Sequence, residues 1–411
     1  MAASLRSVQS VLLSVLILLI GHGLQLTLLP LTAQSLGWSG TLIGLTGSAY
    51  YLGVIVGCLS APRIIRRAGH IRAFSSGVAV AAIAVLAASM QQDFVSWLVL
   101  RFLTGCSLAG LYTIVESWLN ERAGNEQRGM VLALYTAICL GAMAAGQLFL
   151  ELDHYSLDQL FTVAAMLLIA AIIPIGLTSA PQPEAPQDVK FNWRIAYQAS
   201  HVGMVCASLS GVIVGLLWSM GAVYASEQTG SVEIGSRFIM IAILGGFFAQ
   251  FPAGRLSDFL DRRYVIMILS AIGLTGAALP ILDISNSEWI LYVSAALCGA
   301  GSMPIYSISL AHANDNADGK FLLIASGMLI ANAVGAIAGP LLFAGANQLG
   351  LTHGFMITIA TAFFACIVWT ASRIRSHEVS RDYFEPYQVL PKTTTEVITL
   401  DPRLHDEDKP T

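Results

Sequence analysis

Apolar runs long enough to cross a lipid bilayer recur along the whole of this 411-residue chain. A spanning α-helix needs roughly 20 predominantly apolar residues to cover ~30 Å of hydrocarbon. Charge is correspondingly scarce: Asp, Glu, Lys and Arg make up 11% of the residues, where a soluble domain carries about 25%. The mean hydropathy is +0.70. This is the pattern of a polytopic, all-α integral membrane protein. The 37 glycines suit such a fold, because small residues let transmembrane helices approach closely.

Composition argues against other classes. The net charge of −4 says little, since the side on which charges sit matters more than their sum. There is no basic stripe interleaved with aromatics, so no nucleic-acid partner is expected. Cys58, Cys106, Cys139, Cys206, Cys298 and Cys366 all fall in apolar runs without a CxxC pair; they read as packing residues rather than disulfides or metal ligands. No Walker loop, zinc spacing or nucleophile motif occurs, so neither an enzyme nor a cofactor is expected. Arg6 followed by an apolar run resembles a signal peptide, but the run continues through His22 and Gln25 to Pro30 without a small-x-small cleavage site. A first span is the better reading.

Twelve spans are predicted, at about 9–32, 40–62, 73–91, 95–119, 129–151, 158–180, 199–224, 235–256, 264–283, 288–310, 322–346 and 354–374. The organisation is an N-terminal six-helix bundle (1–180), a Pro-containing polar linker (181–198), a C-terminal six-helix bundle (199–376) and a polar tail (377–411) expected to be disordered. Of the 21 Lys and Arg, all but Arg101 and Arg237 fall in the N-terminus, the even-to-odd loops, the linker or the tail. Positive residues accumulate on the cytoplasmic side, so both termini are predicted inside. Shifting the chain by 192–194 residues brings Gly53 onto Gly245, Gly105 onto Gly299 and Tyr112 onto Tyr306. The loop PRIIRRAGH (62–70) then falls on GRLSDFLDR (254–262). Two halves in the same orientation imply parallel repeats about an axis along the membrane normal.

These residues resemble the major facilitator superfamily from residue 1 to about 376. That family's loop pattern, Gly-x-Leu-x-Asp-x-x-Gly-Arg-Arg, is close to residues Gly254, Arg255, Leu256, Asp258, Arg262 and Arg263, with Asp261 in place of the second glycine. In the first half Pro62 stands for the first glycine and Arg66 for the aspartate. An Arg-x-x-x-Gly pattern of span 4 matches Arg101 and Gly105. More narrowly, Trp97–Arg101, Val115-Glu116-Ser117, Arg128-Gly129 and Gln250–Leu256 resemble the bacterial YcaD-type branch. The tail's Leu400-Asp-Pro-Arg403 resembles alphaproteobacterial carriers, some of which import vitamins such as riboflavin. The resemblance implies twelve helices in two pseudo-symmetric six-helix bundles and transport by alternating access.

Residues that can carry chemistry in the bilayer are few. Arg101, inside span 4, costs several kcal/mol or more unless it meets a partner or water; it reads as a coupling or anion-binding group, or as a structural arginine bonding to carbonyls. His22 and Gln25 share one face of span 1 and are candidate cavity residues. Tyr112, Trp218, Tyr306 and Asn332 are further candidates on inward faces. Tyr224 of span 7 is a further aromatic on an inward face, with Trp218 and Tyr306 the better candidates, while His201 and His312 read as boundary residues. Glu116 lies about 22 Å along the helix from Arg101 at 1.5 Å per residue; it is expected near the cytoplasmic face, as a gate pair with Arg128 or a loop arginine, or as a solvated helix end. The resemblance implies that Asp258 latches a neighbouring helix, and Arg262 at i+4 is placed to compensate it if the helix continues that far. Gly335-Ala-Ile-Ala-Gly339-Pro340 reads as a helix-packing hinge.

The expected function is a secondary transporter of the bacterial inner membrane, a monomer, taking up a neutral or anionic nutrient, with riboflavin as the single named solute and protons as a coupling ion. Spans 1 to 3 hold no embedded Asp or Glu, and spans 7 to 12 none deep in the hydrocarbon, which counts against efflux of cations. A drug or metabolite exporter of the same fold is the alternative. A transport-inactive membrane sensor is the alternative of another class.

Overall fold

A computed structural model describes residues 2–122, 128–152, 155–178, 183–184, 192–283, 287–315, 320–351 and 353–374. Among these residues there are helices and no strands: α1 (Ala2–Ser35), α2 (Gly40–Ala68), α3 (His70–Met90), α4 (Phe94–Arg122), α5 (Arg128–Gln147), α6 (Leu157–Ala170), α7 (Ile172–Gly176), α8 (Trp193–Ala199), α9 (His201–Thr229), α10 (Val232–Phe259), α11 (Arg262–Leu282), α12 (Glu288–Asn314), α13 (Phe321–Gln348) and α14 (Gly354–Ile374). With α6 and α7 taken together, twelve of these units are long and apolar enough to cross a membrane. Several helices outrun the apolar runs that announce them, as α9 does by reaching Thr229. Hydropathy falls before the backbone stops being helical; the stop is a cap. Gly230, at φ +75°, closes α9, while Ser39, Ser156, Ser200 and Ser231 each accept an amide hydrogen bond at a helix start.

The repeat appears as packing. A Cβ on Gly53 would run into the Phe102 carbonyl, and one on Gly105 into that of Tyr50, so α2 and α4 touch backbone to backbone. The equivalent pair in the second half, Gly245 and Gly299, meets Ala296 and Ala242 in the α10–α12 crossing. Gly23 and Gly146 hold α1 against α5 in the same manner, and Gly211 and Gly335 hold α9 against α13. Gly335 and Gly339 thus lie on α9, against Ser208 and Val212, the packing role expected of that segment. In a bilayer such close van der Waals approach replaces the hydrophobic drive available in water.

The bundles α1–α7 and α9–α14 meet chiefly through α2 with α13 and α5 with α10. Helices alternate in direction, so the start of α1, the α7–α9 connection and the end of α14 share one face, the linker face. Cross-bundle contacts gather at the opposite, far face. Gly40 abuts Phe343 and Met220, Gly44 abuts Pro340, and Gly47 abuts Ser219. The Ser48 hydroxyl donates to the Ile337 carbonyl at 2.9 Å. The described end of the linker is helical. Asn192 caps α8 through Arg194 and Ile195 amides, and Ala196 packs against Gly327 of α13. Residues 375–411, which include the tail, lie outside the described residues.

Candidate functional site

Where α1, α2, α4 and α5 face α9, α10, α12 and α13 they enclose a cavity of about 180 Å³. The first bundle contributes His22, Tyr50, Tyr51, Tyr112, Thr136 and Cys139 to the wall, with Leu26 and Met143. The second contributes Val214, Trp218, Gln250, Met303, Asn332 and Ala336. Imidazole, phenols and hydroxyl therefore line one side, while an indole, a thioether and two amides line the other. Among the described residues no Asp or Glu lines it.

His22 organises the first-bundle side. Gln25, one turn on and fully buried, places its Nε2 2.9 Å from His22 Nδ1. As the amide donates, Nδ1 accepts and the proton of the neutral imidazole sits on Nε2. That Nε2 lies 3.4 Å from the Tyr50 hydroxyl, and the two rings stack with centroids 6.1 Å apart. Gln25 Oε1 has no hydrogen-bond partner among the described residues. An amide rotation would present that oxygen to a protonated Nδ1, so the pair can serve both charge states of the ring.

Behind Tyr50 stands Arg101, 4% exposed, with its guanidinium carbon 4.7 Å from the ring centroid. This is a cation–π distance. Gly105, one turn along α4, creates the approach by letting α4 touch the Tyr50 backbone. Nε and Nη1 of Arg101 have no hydrogen-bond partner among the described residues, leaving its charge faced chiefly by the tyrosine π-system.

The predicted site residues divide. His22, Tyr112, Trp218 and Asn332 stand in the cavity wall, although Asn332 Nδ2 also donates to the Ala207 carbonyl at 2.8 Å. Gln25 and Arg101 are one layer back, in contact with His22 and Tyr50. Tyr306, 2% exposed, lies outside this wall. Tyr50, Tyr51, Thr136 and Gln250 went unpredicted; the adjacent tyrosines and a lone glutamine in an apolar run were the available signals.

The gating residues are rearranged more thoroughly. Glu116 is fully buried and accepts a hydrogen bond from the Tyr135 hydroxyl at 2.9 Å, which ties α4 to α5. Arg128 opens α5, but its side chain lies outside the described residues. Asp258 is exposed on the last turn of α10, beside buried Gly254. Arg255 is exposed and lies over the Phe251 ring at 5.5 Å. The helix does not continue to Arg262: α10 ends at Phe259, and Asp261 caps α11 by accepting the Arg263 amide at 2.8 Å. Asp261 departs from the loop pattern because it is this cap. Burial would raise its carboxyl, but the hydrogen bonds and charge of Arg263 outweigh that and hold it below the usual carboxylate range. Arg262 turns inward, 1% exposed, with Nε 2.8 Å from Asp315 Oδ2 and Nη2 2.9 Å from Oδ1. It joins α11 to the end of α12, in place of the expected pairing with Asp258.

On the far face, the one arginine expected there has a partner in the other bundle. Arg237 Nε of α10 lies 3.0 Å from Glu151 Oε1, just beyond α5, and Nη2 lies 3.3 Å from Oε2.

Known proteins share this architecture. The Major Facilitator Superfamily profile matches residues 11–230 and again 203–402. A Yersinia pseudotuberculosis protein described as an uncharacterized MFS-type transporter is 26% identical over 345 residues, covering 83% of this chain and 88% of its own. The YcaD protein of Escherichia fergusonii, described likewise, is 23% identical over 362 residues, covering 87% and 94%. Among solved structures, a variant of the nucleoside transporter NupG superposes with a TM-score of 0.70 at 14% identity, over 90% of this chain and 100% of that one. A bacterial homologue of the human lysosomal transporter Spinster, inward-facing and unoccupied, gives 0.66 at 14% identity, over 99% of each chain. A variant of the Escherichia coli fucose:proton symporter FucP gives 0.55 at 16% identity, over 90% and 98%. At such identities the likeness is one of fold. Profile, twelve spanning helices and paired bundles agree: the chain belongs to the Major Facilitator Superfamily.

Proposed function

We propose that the protein is a secondary transporter that carries a small neutral or anionic organic solute across the bacterial cytoplasmic membrane, with both termini inside. The observation that carries this reading is the cavity wall: hydrogen-bonding groups and an indole, no carboxylate, and the charge of Arg101 one layer behind. A cationic solute would find nothing there to neutralise it, whereas a carbonyl, hydroxyl or carboxylate would. At about 180 Å³, the space is close to the ~150 Å³ cavity that accommodates a benzene-sized ligand. A single-ring solute fits it as it stands. Riboflavin, with three fused rings, is larger than this space and requires the walls to part. NupG and FucP, which share the fold, are by name a nucleoside transporter and a fucose:proton symporter.

The cycle is a rocking of one bundle against the other about this site. Named cross-bundle contacts cluster at the far face, so solute exchange from this arrangement is toward the linker face. His22 is the group suited to proton coupling, because Gln25 can accommodate either protonation state.

Uptake into proteoliposomes tests the reading. Labelled nucleobases, vitamins including riboflavin, aromatic acids and cationic drugs are offered with and without an inward proton gradient. Accumulation of a neutral or anionic ring solute is expected; movement of cations alone would overturn the proposal. A gradient that leaves the rate unchanged removes proton coupling. Drug sensitivity on deletion without loss of uptake favours the exporter, and binding without movement favours the sensor.

The Glu151–Arg237 pair bears on the same cycle. Its side chains are 27% and 42% exposed, so the pair is worth about 0.2–1 kcal/mol, a factor of at most roughly five in an equilibrium. Because the partners lie in different bundles, that energy acts on the far-face closure. In a variant keeping Cys139 as its only cysteine, Glu151→Gln is expected to speed labelling by an impermeant maleimide from the far face. An unchanged rate would mean that the pair does not hold the closure.

A further inference from the structure

We propose that an anionic phospholipid of the linker-face leaflet occupies a groove in the outer wall of the first bundle. The groove, of about 250 Å³, runs between α2, α3 and α4. Its floor is made of small residues, including Gly57, Ala73, Gly77 and Gly110. Its rim is apolar and open to the bilayer: Ile64, Val80 and Leu103 are 52%, 40% and 37% exposed. An exposed apolar concavity of this kind on a spanning bundle suits a hydrocarbon chain better than a soluble solute.

Length and charge identify the occupant. Along α2 the groove extends from Gly57 to Ile65, about 12 Å at 1.5 Å per residue. That is close to the depth of one leaflet, about half of a ~30 Å core, and too short for a partner helix crossing the whole membrane. Both walls then end in an arginine. Arg67 follows Ile64 by three residues on α2, and Arg72 precedes Ser76 by four on α3, so each continues a groove-lining stripe by one turn. Both arginines are exposed, and neither has a hydrogen-bond or ion-pair partner among the described residues. Two cations one turn above a single-leaflet acyl slot complement a phosphate headgroup whose chain lies below.

Native mass spectrometry of the full-length protein with phosphatidylglycerol, phosphatidylcholine and glycerol phosphate tests this. Each arginine near an anionic headgroup contributes about 1 kcal/mol, so Arg67→Gln with Arg72→Gln is expected to weaken phosphatidylglycerol binding about thirtyfold. Ser76→Phe, at an exposed position on the groove wall, is expected to remove the lipid with both arginines intact. Arg194→Gln, at a linker-face arginine stacked on Trp193, is the control and should change nothing. Equal retention of phosphatidylcholine, full retention by the Ser76→Phe variant, or competition by glycerol phosphate alone would each overturn the proposal.

Discussion

Replacing Arg101 with alanine is expected to abolish solute uptake while the amount of protein in the membrane stays unchanged. Arg101 does not stand in the cavity wall. It lies behind it, 4.7 Å from the centre of the Tyr50 ring, with two nitrogens lacking hydrogen-bond partners among the described residues. A desolvated cation–π contact is worth about 2 kcal/mol or more, roughly a thirtyfold effect where it acts on binding or turnover. The loss should exceed that, because Tyr50 also contacts His22, and displacing the ring disturbs both groups at once. Arg101→Lys separates the contributions: it keeps a positive charge but gives up the planar stacking group, so intermediate uptake is expected. Normal uptake by the alanine variant would reduce Arg101 to a packing residue between α4 and α2.

The second large effect is on stability. Arg262 and Asp315 form an ion pair with side chains 1% and 3% exposed, and removing one partner strands the other charge. Arg262→Ala or Asp315→Asn is expected to cost about 3–5 kcal/mol, seen as a fall in melting temperature of the purified protein. The double variant Arg262→Met with Asp315→Leu should regain most of that loss, because a buried pair is replaced by apolar groups of similar size. Both partners belong to the second bundle, so transport per folded molecule should survive in the double variant. A transport defect with an unchanged melting temperature would instead make Arg262 a gating residue.

The same loop shows why parts of the site were legible and others were not. The sequence pattern placed charges at Arg255, Asp258, Arg262 and Arg263 between two spans, and they are there. Their partners depend on where α10 stops. A two-residue connection, Leu260 and the capping Asp261, turns Arg262 inward to Asp315, which is more than fifty positions away in sequence, and no local spacing rule reaches that far. Glu116 shows the same limit. Its distance along α4 was readable, while its hydrogen bond from Tyr135 required knowing how α5 lies against α4.

Twelve spans, the repeat and the side on which charges gather were determined by the sequence alone, because hydropathy and charge act locally and report on whether a segment can enter a bilayer. Even the glycines of the α2–α4 and α10–α12 crossings were visible as repeat positions. The cavity wall was decided by tertiary structure. A spanning helix is apolar nearly all round, so its pattern barely records which face meets a neighbour and which meets lipid. Rotation about each axis is set by backbone contacts such as Gly105 against Tyr50 and Gly335 against Ser208. Those rotations put Tyr50 and Gln250 beside the cavity and leave Arg101 and Gln25 one layer behind it.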